Sequence, residues 1–275
     1  MNKLGPIGVF DSGYGGLTVL QEILKALPEY DYVYLGDNAR APYGNRSFEV
    51  VHEFTLEAVN YLKEKGCRLI ILACNTSSAK ALRTIQQIDL IDREDESFRV
   101  LGVIRPSTET IGKLSKNKCI GILGTEGTIH SKSYKIELEK FSPQTKVIQH
   151  ACPMWVPLIE SNQHKTEIGK KLIENDIREL LAMSPNIDTI LLACTHYPLI
   201  INDVKKIVGE KIKVVSQGPI VADKLRDYLQ RNKFMDAQLS KGGSCSFLTT
   251  ENAAVFNASA TQFLEKPIAA EQIRL

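Results

Sequence analysis

The sequence predicts an α/β protein with two pseudo-symmetric α/β domains, mainly parallel sheets and a site in the cleft between the domains. Short apolar segments alternate with amphipathic stretches such as 48–65 and 167–182. Strands that are apolar along their whole length are typical of parallel sheets with helices on both faces. The predicted strands are PIGVF from residue 6, DYVYL from 31, LIILA from 69, RVLGVI from 99, CIGILG from 119, TKVIQ from 145, TILLA from 189 and KVVS from 213.

An internal repeat supports the two-domain prediction. LIILACNTSSAKAL at 69–82 and TILLACTHYPLIIN at 189–202 both run from an apolar strand through Ala-Cys into a threonine-containing turn, with cysteines 120 residues apart (194 − 74). IGVFDSGYGGL from 7 and IGILGTEGTI from 120 form a second pair, offset by 113 residues (120 − 7). Two similar offsets indicate two related halves, whose equivalent loops would face each other across one cleft.

The composition limits the class of partner. The 34 Lys and Arg residues are interspersed among 32 Asp and Glu residues, and the net charge is only +2, so no nucleic-acid partner is expected. Apolar runs such as LIILA are too short to cross a bilayer, so no membrane partner is expected either. The first residues, MNKLGPIGVFDSG, lack the apolar region of a signal peptide, which predicts a cytoplasmic protein with six reduced cysteines.

The glycine-rich loop GVFDSGYGG at 8–16 does not have the pattern of a nucleotide site. Thr18 stands where a dinucleotide fingerprint requires its third glycine, and Asp11 would repel a phosphate. An aspartate beside backbone N–H groups suits a ligand that carries both an ammonium and a carboxylate. The alternative is that Asp11 or Ser12 only caps the following helix.

Cys74 and Cys194 each follow an apolar strand and precede a polar turn and a helix. Ligands of parallel sheets bind at the carboxyl ends of strands, and a helix N-terminus commonly lowers the pKa of a thiol. A single cysteine there would usually be a core residue, but two at equivalent positions of a repeat indicate function. Two acid/base groups on opposite sides of a planar carbanion can remove a proton from one face of a carbon and return one to the other, which inverts the carbon.

Two other uses of these residues explain the pattern less completely than inversion does. Zinc bound by Cys74, Cys194 and His196 would lack an evident fourth ligand. Cys194 and His196 could form the nucleophile and base of a hydrolase, but Cys74 would then have no role. The remaining cysteines share no common pattern and are predicted to pack in the core; they are Cys67, Cys119, Cys152 and Cys245.

Six segments resemble the cofactor-independent glutamate racemases of bacterial cell-wall synthesis, within the aspartate/glutamate racemase superfamily. They span nearly the whole chain: GVFDSGYGGL from 8, GDNARAPYG from 36, LACNTSSA from 72, GILGTEGTI from 121, ACPMWVPLIE from 151 and LLACTHYPL from 191. The resemblance implies reversible conversion of L-glutamate to D-glutamate for peptidoglycan, with no cofactor and no metal. It also implies a homodimer.

Carried over by position, the resemblance makes Cys74 the base for D-glutamate and Cys194 the base for L-glutamate, assisted by Asp11 and His196. It implies that the substrate is bound by Asp11, Ser12, Tyr43, Gly44, Asn75, Thr76, Thr125, Thr128, Thr195 and His196. Without the resemblance, Tyr43 and Gly44 would be interpreted as a turn, and Thr125 and Thr128 as helix caps. Such a reaction requires a water-poor cleft, so closure of the two halves is expected.

Strand order and the resemblance predict a first domain from 1–97 plus 210–275, which carries Cys74, and a second from 98–209, which carries Cys194. An aspartate or hydantoin racemase of the same superfamily is the near alternative, and a non-catalytic amino-acid-binding protein is the distant one. GVIRPS at 102–107 departs from the family pattern, because Arg105 stands where many relatives carry glutamate.

Overall fold

A computed structural model describes residues 4–90 and 97–275, and its strands form two parallel sheets. The strands are β1 (Ile7–Asp11), β2 (Tyr32–Gly36), β3 (Leu69–Leu72), β4 (Arg99–Gly102), β5 (Cys119–Gly124), β6 (Lys146–Ala151), β7 (Thr189–Ala193), β8 (Lys213–Ser216), β9 (Cys245–Thr249) and β10 (Ala270–Gln272). The α/β prediction and all eight predicted strands are confirmed.

The helices connect and cover these strands. They are α1 (Gly16–Ala26), α2 (Phe48–Glu64), α3 (Asn75–Lys80), α4 (Leu82–Thr84), α5 (Ile104–Leu114), α6 (Glu126–His130), α7 (Ser133–Phe141), α8 (Trp155–Glu160), α9 (Glu167–Ala182), α10 (Ile201–Val208), α11 (Gln217–Arg231), α12 (Lys233–Asp236) and α13 (Ala253–Leu264). The amphipathic stretches at 48–65 and 167–182 are the helices α2 and α9. Among the helices within 4–90 and 97–275, none combines the length and the apolar character needed to cross a membrane.

The two sheets repeat one strand order. The first runs β10-β9-β2-β1-β3-β4 and the second β6-β5-β7-β8. Within the first, β2-β1-β3-β4 therefore corresponds to β6-β5-β7-β8, so the loop after β1 corresponds to the loop after β5, and Cys74 after β3 corresponds to Cys194 after β7. The sequence repeat is thus a repeat of strand topology.

Strand pairing places each change of sheet one strand later than the predicted domain boundaries. β4 pairs with β3 and so belongs to the first sheet, although the second domain was predicted to begin at residue 98. β8 pairs with β7 and belongs to the second sheet, although the return was predicted at residue 210. The division into two domains stays a prediction, and strand pairing puts its crossings after Gly102 and after Ser216.

The C-terminal segment adds two strands that the sequence does not predict. β9 pairs with β2 and β10 pairs with β9, so this segment extends the first sheet. The predicted loop at 239–244 precedes β9, and its residues 241–244 are exposed. The predicted loop at 92–97 lies, except for Ser97, outside the described residues.

Helices cover both faces of each sheet, as expected for strands that are apolar on both faces. In β1, Val9 packs with side chains of α1, α11 and α13, whereas Phe10 packs on the opposite face with side chains of α2. The second sheet lies between a core that includes α8, α9 and α10 and another that includes α5 and α7. Because helices cover both faces, the polar loops lie at the ends of the strands.

Candidate active site

The carboxyl end of β1 lies at the centre of the candidate site. Asp11, the last residue of β1, is fully buried, and its Oδ2 accepts a hydrogen bond from the backbone N–H of Gly13 at 3.0 Å. Its Oδ1 accepts from Thr195 Oγ1 at 3.3 Å. Ser12 Oγ lies 3.4 Å from Cys74 Sγ. This turn therefore contacts the cysteine of its own half and the loop that follows the cysteine of the other half.

Burial changes the acidity of Asp11. Loss of hydration raises the pKa of its carboxyl group, against the opposing effects of the His196 charge and the backbone N–H groups of Gly16 and Gly13. Because Gly16 is the first residue of α1, Asp11 also stabilises the start of that helix. The N-cap residue of α1 is Gly15, so Asp11 supports the start of the helix without being its cap, and this is compatible with a place in the site.

Cys74 occupies the N-cap position of α3. Its Sγ accepts from the backbone N–H of Ser77 at 3.4 Å, and the residue is only 5% exposed. Burial and the nearby Asp11 carboxylate raise the pKa of Cys74 to about 11, against the hydrogen bonds from Ser12 and Ser77. Desolvation therefore outweighs the helix N-terminus, which would by itself lower the pKa of the Cys74 thiol. Cys74 is a thiol at neutral pH.

Cys194 has a basic neighbour instead. It is 6% exposed, and its Sγ lies 4.0 Å from His196 Nδ1. His196 Nε2 lies 2.8 Å from Glu160 Oε1, at the end of α8. Burial opposes protonation of His196, but the hydrogen bonds with Cys194 and Glu160 outweigh it and raise its pKa to about 10. A positively charged imidazolium therefore lies beside the Cys194 sulfur at neutral pH.

The raised pKa of His196 predicts a pH-dependent contribution to stability. Its folded-state pKa of about 10 lies above the ordinary 6.5, so the contribution is complete below pH 6.5 and is lost as the pH rises through 10. We expect His196→Gln to lower the free energy of unfolding by about 2 kcal/mol at pH 6 and by less at pH 10. Urea unfolding of both proteins across this range measures the difference.

The exposed His130 provides the control. His130→Gln should change the free energy of unfolding by the same small amount at every pH. A His196→Gln deficit that grew between pH 6.5 and 10 would contradict the proposed protonation of His196.

Threonine side chains and a backbone contact join the two halves farther along the site. Thr76 Oγ1 of α3 lies 3.1 Å from Thr125 Oγ1 and 3.5 Å from Thr128 Oγ1, both beside or within α6. The Thr125 side chain caps α6 by accepting from the backbone N–H of Thr128, as the capping alternative predicts. Gly127 N–H donates to the carbonyl of Gly44 at 2.7 Å. These contacts hold the segment that contains Gly44 next to the segment that contains Thr125.

Two predicted binding residues direct their side chains elsewhere. Tyr43 is buried and its hydroxyl donates to the Asp37 carboxylate, which leaves only backbone groups of this turn for a ligand. Asn75 Nδ2 donates to Gln217 Oε1 at 2.6 Å, and Asn75 Oδ1 accepts from Tyr134 OH at 2.6 Å. Direct substrate binding by the Asn75 side chain therefore stays a prediction.

Gln217 links three buried polar groups of the two halves. Besides accepting from Asn75, its Nε2 donates to Tyr134 OH at 2.6 Å and to Ser107 Oγ at 2.8 Å. Gln217 is the first residue of α11 and is 3% exposed. Helix α11 packs on α1 of the first half and on α5 of the second, so this amide lies where the two halves meet. Its hydrogen bond holds the side chain of Asn75, the residue that follows Cys74.

We expect Gln217→Leu to destabilise the protein by about 2–4 kcal/mol, because it leaves the Asn75 amide and the Tyr134 oxygen without their buried partner. Gln230→Leu, on an exposed position of the same helix, is the matched control and should change stability by less than about 0.5 kcal/mol. Chemical denaturation of the three proteins measures both effects. Equal stabilities for the two variants would show that the network contributes nothing.

The start of α1 lies directly against the second half. Thr18 Oγ1 donates to the carbonyl oxygen of Thr195 at 2.9 Å. A Cβ atom added to Gly15 would lie 2.3 Å from Thr195 Oγ1 and 2.4 Å from His196 Nδ1. Only a residue without a side chain fits there, so Gly15 permits the close approach of the glycine loop to the loop that follows Cys194.

The sequence alone does not indicate Glu160 or Gln217 as site residues. Glu160 ends the segment ACPMWVPLIE, which resembles the family as a whole and gives no separate signal for its last residue. Arg105, the departure from the family pattern, lies outside this cluster: its exposed guanidinium pairs with Glu109, which also binds Lys224 of α11. It therefore contributes to the surface between α5 and α11.

The other cysteines lie in the cores, as predicted. Cys67, Cys119 and Cys152 are buried in apolar clusters, and Cys245 packs against one. Cys152 differs from the rest because ligand atoms of His150 and Asp176 also lie within 4.8 Å of its sulfur.

Each sheet has a buried thiol after its equivalent strand, Cys74 after β3 and Cys194 after β7, and two such thiols are acid/base groups of the kind that inversion at a carbon requires. The family model Asp/Glu/Hydantoin racemase matches residues 7–225, and the chain belongs to this family of isomerases. The chain is 36% identical to glutamate racemase 2 of Caldanaerobacter subterraneus subsp. tengcongensis, over 96% of this chain and 94% of that protein. It is 37% identical to glutamate racemase of Listeria monocytogenes, over 98% of each.

Solved structures of glutamate racemases are similar to this chain as well. Glutamate racemase isoform RacE1 from Bacillus anthracis superposes with a TM-score of 0.89 at 34% identity, over 98% of each chain. The Francisella tularensis enzyme in complex with D-glutamate gives 0.84 at 30% identity, over 99% of this chain and 98% of that one. An aspartate racemase from Picrophilus torridus gives 0.55 at 21% identity over 84% of this chain, which is a likeness of fold alone.

Proposed function

We propose that this protein interconverts L-glutamate and D-glutamate by a two-base mechanism that needs no cofactor, and that D-glutamate supplies peptidoglycan synthesis. The observation that carries the proposal is the pair of buried thiols after the equivalent strands β3 and β7, linked through the turn of Asp11 and Ser12. The glutamate racemases that match over nearly the whole chain support glutamate as the substrate.

In the L-to-D direction, the Cys194 thiolate removes the α-proton of L-glutamate and the electron pair remains on the α-carbon and its carboxylate. The Cys74 thiol then donates its proton to the opposite face. Cys194 is left as a thiol and Cys74 as a thiolate, so atoms and charge balance, and the D-to-L direction is the reverse sequence.

The electrostatic surroundings suit this direction of proton flow. A Cys74 pKa of about 11 keeps that sulfur protonated and ready to donate. The imidazolium of His196 places a positive charge beside Cys194, where a thiolate has to form. Glu160 holds His196 in this orientation, which makes it a positioning residue and not a group that contacts substrate.

Glutamate brings one ammonium and two carboxylates to the site. The buried Asp11 carboxylate offers a partner for the ammonium, and the hydroxyl groups of Ser12, Thr76, Thr125 and Thr195 offer hydrogen bonds to carboxylate oxygens. Donors that are fixed before reaction stabilise the charge that develops on the α-carboxylate without large reorganisation. Substrate binding through the backbone of Tyr43 and Gly44, a homodimer and a cytoplasmic location also belong to this proposal.

Incubation with L-glutamate in heavy water tests the proposed function. We expect D-glutamate that carries deuterium at the α-carbon, formed without any added cofactor. Exchange with aspartate but not with glutamate would favour an aspartate racemase, and binding without exchange would favour a non-catalytic amino-acid-binding protein. Either result would overturn the proposal.

A further inference from the structure

A second cluster of metal-ligating side chains lies between the end of β6 and helix α9. His150 and Cys152 are two residues apart at the end of β6, and Asp176 faces them from α9. One ligand atom from each residue lies within 4.8 Å of the ligand atoms of the other two. None of the three is among the residues assigned to substrate.

The spacing of the ligand atoms suits a small tetrahedral ion. His150 Nε2 lies 3.1 Å from Asp176 Oδ1 and 3.8 Å from Glu179 Oε2, one helical turn further along α9. Nitrogen, oxygen and sulfur ligands around a tetrahedral zinc ion lie about 3.3–3.7 Å apart, given metal–ligand distances of about 2.0–2.3 Å. Small shifts of the side chains would therefore bring His150, Cys152 and Asp176 around one ion, and Glu179 Oε2 is the next carboxylate oxygen near His150.

The surroundings orient the ligands. Trp155 Nε1 donates to Asp176 Oδ2 at 2.6 Å, so Oδ1 is the oxygen that faces His150. A hydrogen bond to the second oxygen of a carboxylate is how proteins commonly fix a metal ligand. Cys152 is fully buried, and the side chain of His150 is 12% exposed. Glu179 is 66% exposed, which leaves an approach from solvent.

We propose that His150, Cys152, Asp176 and Glu179 bind one zinc ion in a structural site that joins the end of β6 to α9. One thiolate, one imidazole and two carboxylates form a mixed ligand set that zinc accepts, whereas magnesium and calcium prefer oxygen alone. When the hydrated ion binds, four zinc–ligand bonds form, the ion releases its water ligands, and Cys152 loses its proton to solvent.

The site would also support the catalytic half that contains Cys194. Trp155 begins α8, whose last residue, Glu160, contacts His196. By fixing Asp176, the ion fixes the indole that anchors the start of this helix. The zinc is expected to stabilise the fold without contacting substrate, so this inference does not depend on the proposed function.

Metal analysis of the untagged, full-length protein tests the site. After growth with zinc and extensive dialysis, we expect about one zinc per chain. Cys152→Ser and Asp176→Asn should lose at least nine-tenths of it, whereas Cys245→Ser and Cys194→Ser should retain it. Far-UV circular dichroism shows whether each variant is folded. If Cys152→Ser does not fold, the conservative Asp176→Asn variant provides the test.

Cobalt provides an independent measurement. Co²⁺ added to the metal-free protein should give thiolate-to-cobalt charge-transfer absorption that is present in Cys194→Ser and absent in Cys152→Ser. Metal loss confined to Cys194→Ser would place the metal at the racemisation site and overturn the inference. Substoichiometric zinc in the wild-type protein, or zinc retained by both Cys152→Ser and Asp176→Asn, would overturn it as well.

Discussion

Replacing Cys74 or Cys194 by serine is expected to lower the racemisation rate by about 10³-fold or more, because a hydroxyl is too weak an acid and base to replace a thiol at a carbon centre. The two enantiomers of glutamate have equal free energies, so kcat/KM must fall by the same factor in both directions for each variant. Circular dichroism of L- and D-glutamate solutions follows both reactions. Cys245→Ser, which replaces a packed cysteine of the first sheet, is the control and should retain activity.

Isotope exchange separates the roles of the two thiols. In heavy water, Cys74→Ser retains the base assigned to L-glutamate, so any residual deuterium should appear in L-glutamate, and Cys194→Ser should label only D-glutamate. Wild-type turnover by either variant would show that the replaced thiol is not one of the two bases. Labels in the opposite enantiomers would reverse the assignment of the two residues.

Gly15→Ala is expected to lower kcat/KM by about 10²-fold, because misplacing catalytic groups by 1 Å has an effect of this size. The backbone at Gly15 has φ −59° and ψ −35°, which alanine adopts readily, so no backbone strain accompanies the change. The added methyl would instead overlap Thr195 Oγ1 and His196 Nδ1, at 2.3 and 2.4 Å. Steady-state kinetics with L-glutamate measures the loss.

Gly13→Ala is the matched control in the same loop. A Cβ at Gly13 would meet its nearest neighbours, Asn38 Nδ2 and Glu160 Oε1, at 3.9 Å, which is ordinary van der Waals contact. We therefore expect activity within about threefold of the wild type for this variant. Similar kinetics for Gly13→Ala and Gly15→Ala would show that the close approach at Gly15 has no consequence for the site.

The sequence predicts the parts of the fold that have strong local patterns. Strands β1, β2, β3, β5 and β7 are nearly continuous apolar runs between turn residues, and buried parallel strands require that composition. In β9, Phe247 and Leu248 alone form an apolar run, and β10 consists of Ala270, Glu271 and Gln272. Their pairing with β2 and β9, and not their own composition, defines them as strands, so they could not be predicted locally.

The same distinction applies to the candidate site. Cys74, Cys194 and Asp11 could be located because each ends an apolar strand, and strand ends of parallel sheets are where ligands bind. The contact between Glu160 and His196 joins residues 36 positions apart, and that between Asn75 and Gln217 joins residues 142 positions apart. Neither has a local signal, because both depend on how segments that are distant in the sequence pack together. The raised pKa of Cys74 has no local signal either, because it depends on burial in three dimensions.

A carboxylate lies near Cys74, whereas an imidazolium lies beside Cys194. A negative charge is therefore less stable on the Cys74 sulfur, so the free protein does not meet L and D molecules in equivalent protonation states. Each conversion of an L molecule leaves the negative charge on Cys74, where it is less stable. Cys74 must then regain a proton from solvent, and Cys194 must lose one, before another L molecule can react. When one hand of the amino acid is abundant, we expect this recovery step to contribute to the rate at saturation. A proton carrier in the buffer should then accelerate turnover at saturation while leaving kcat/KM unchanged.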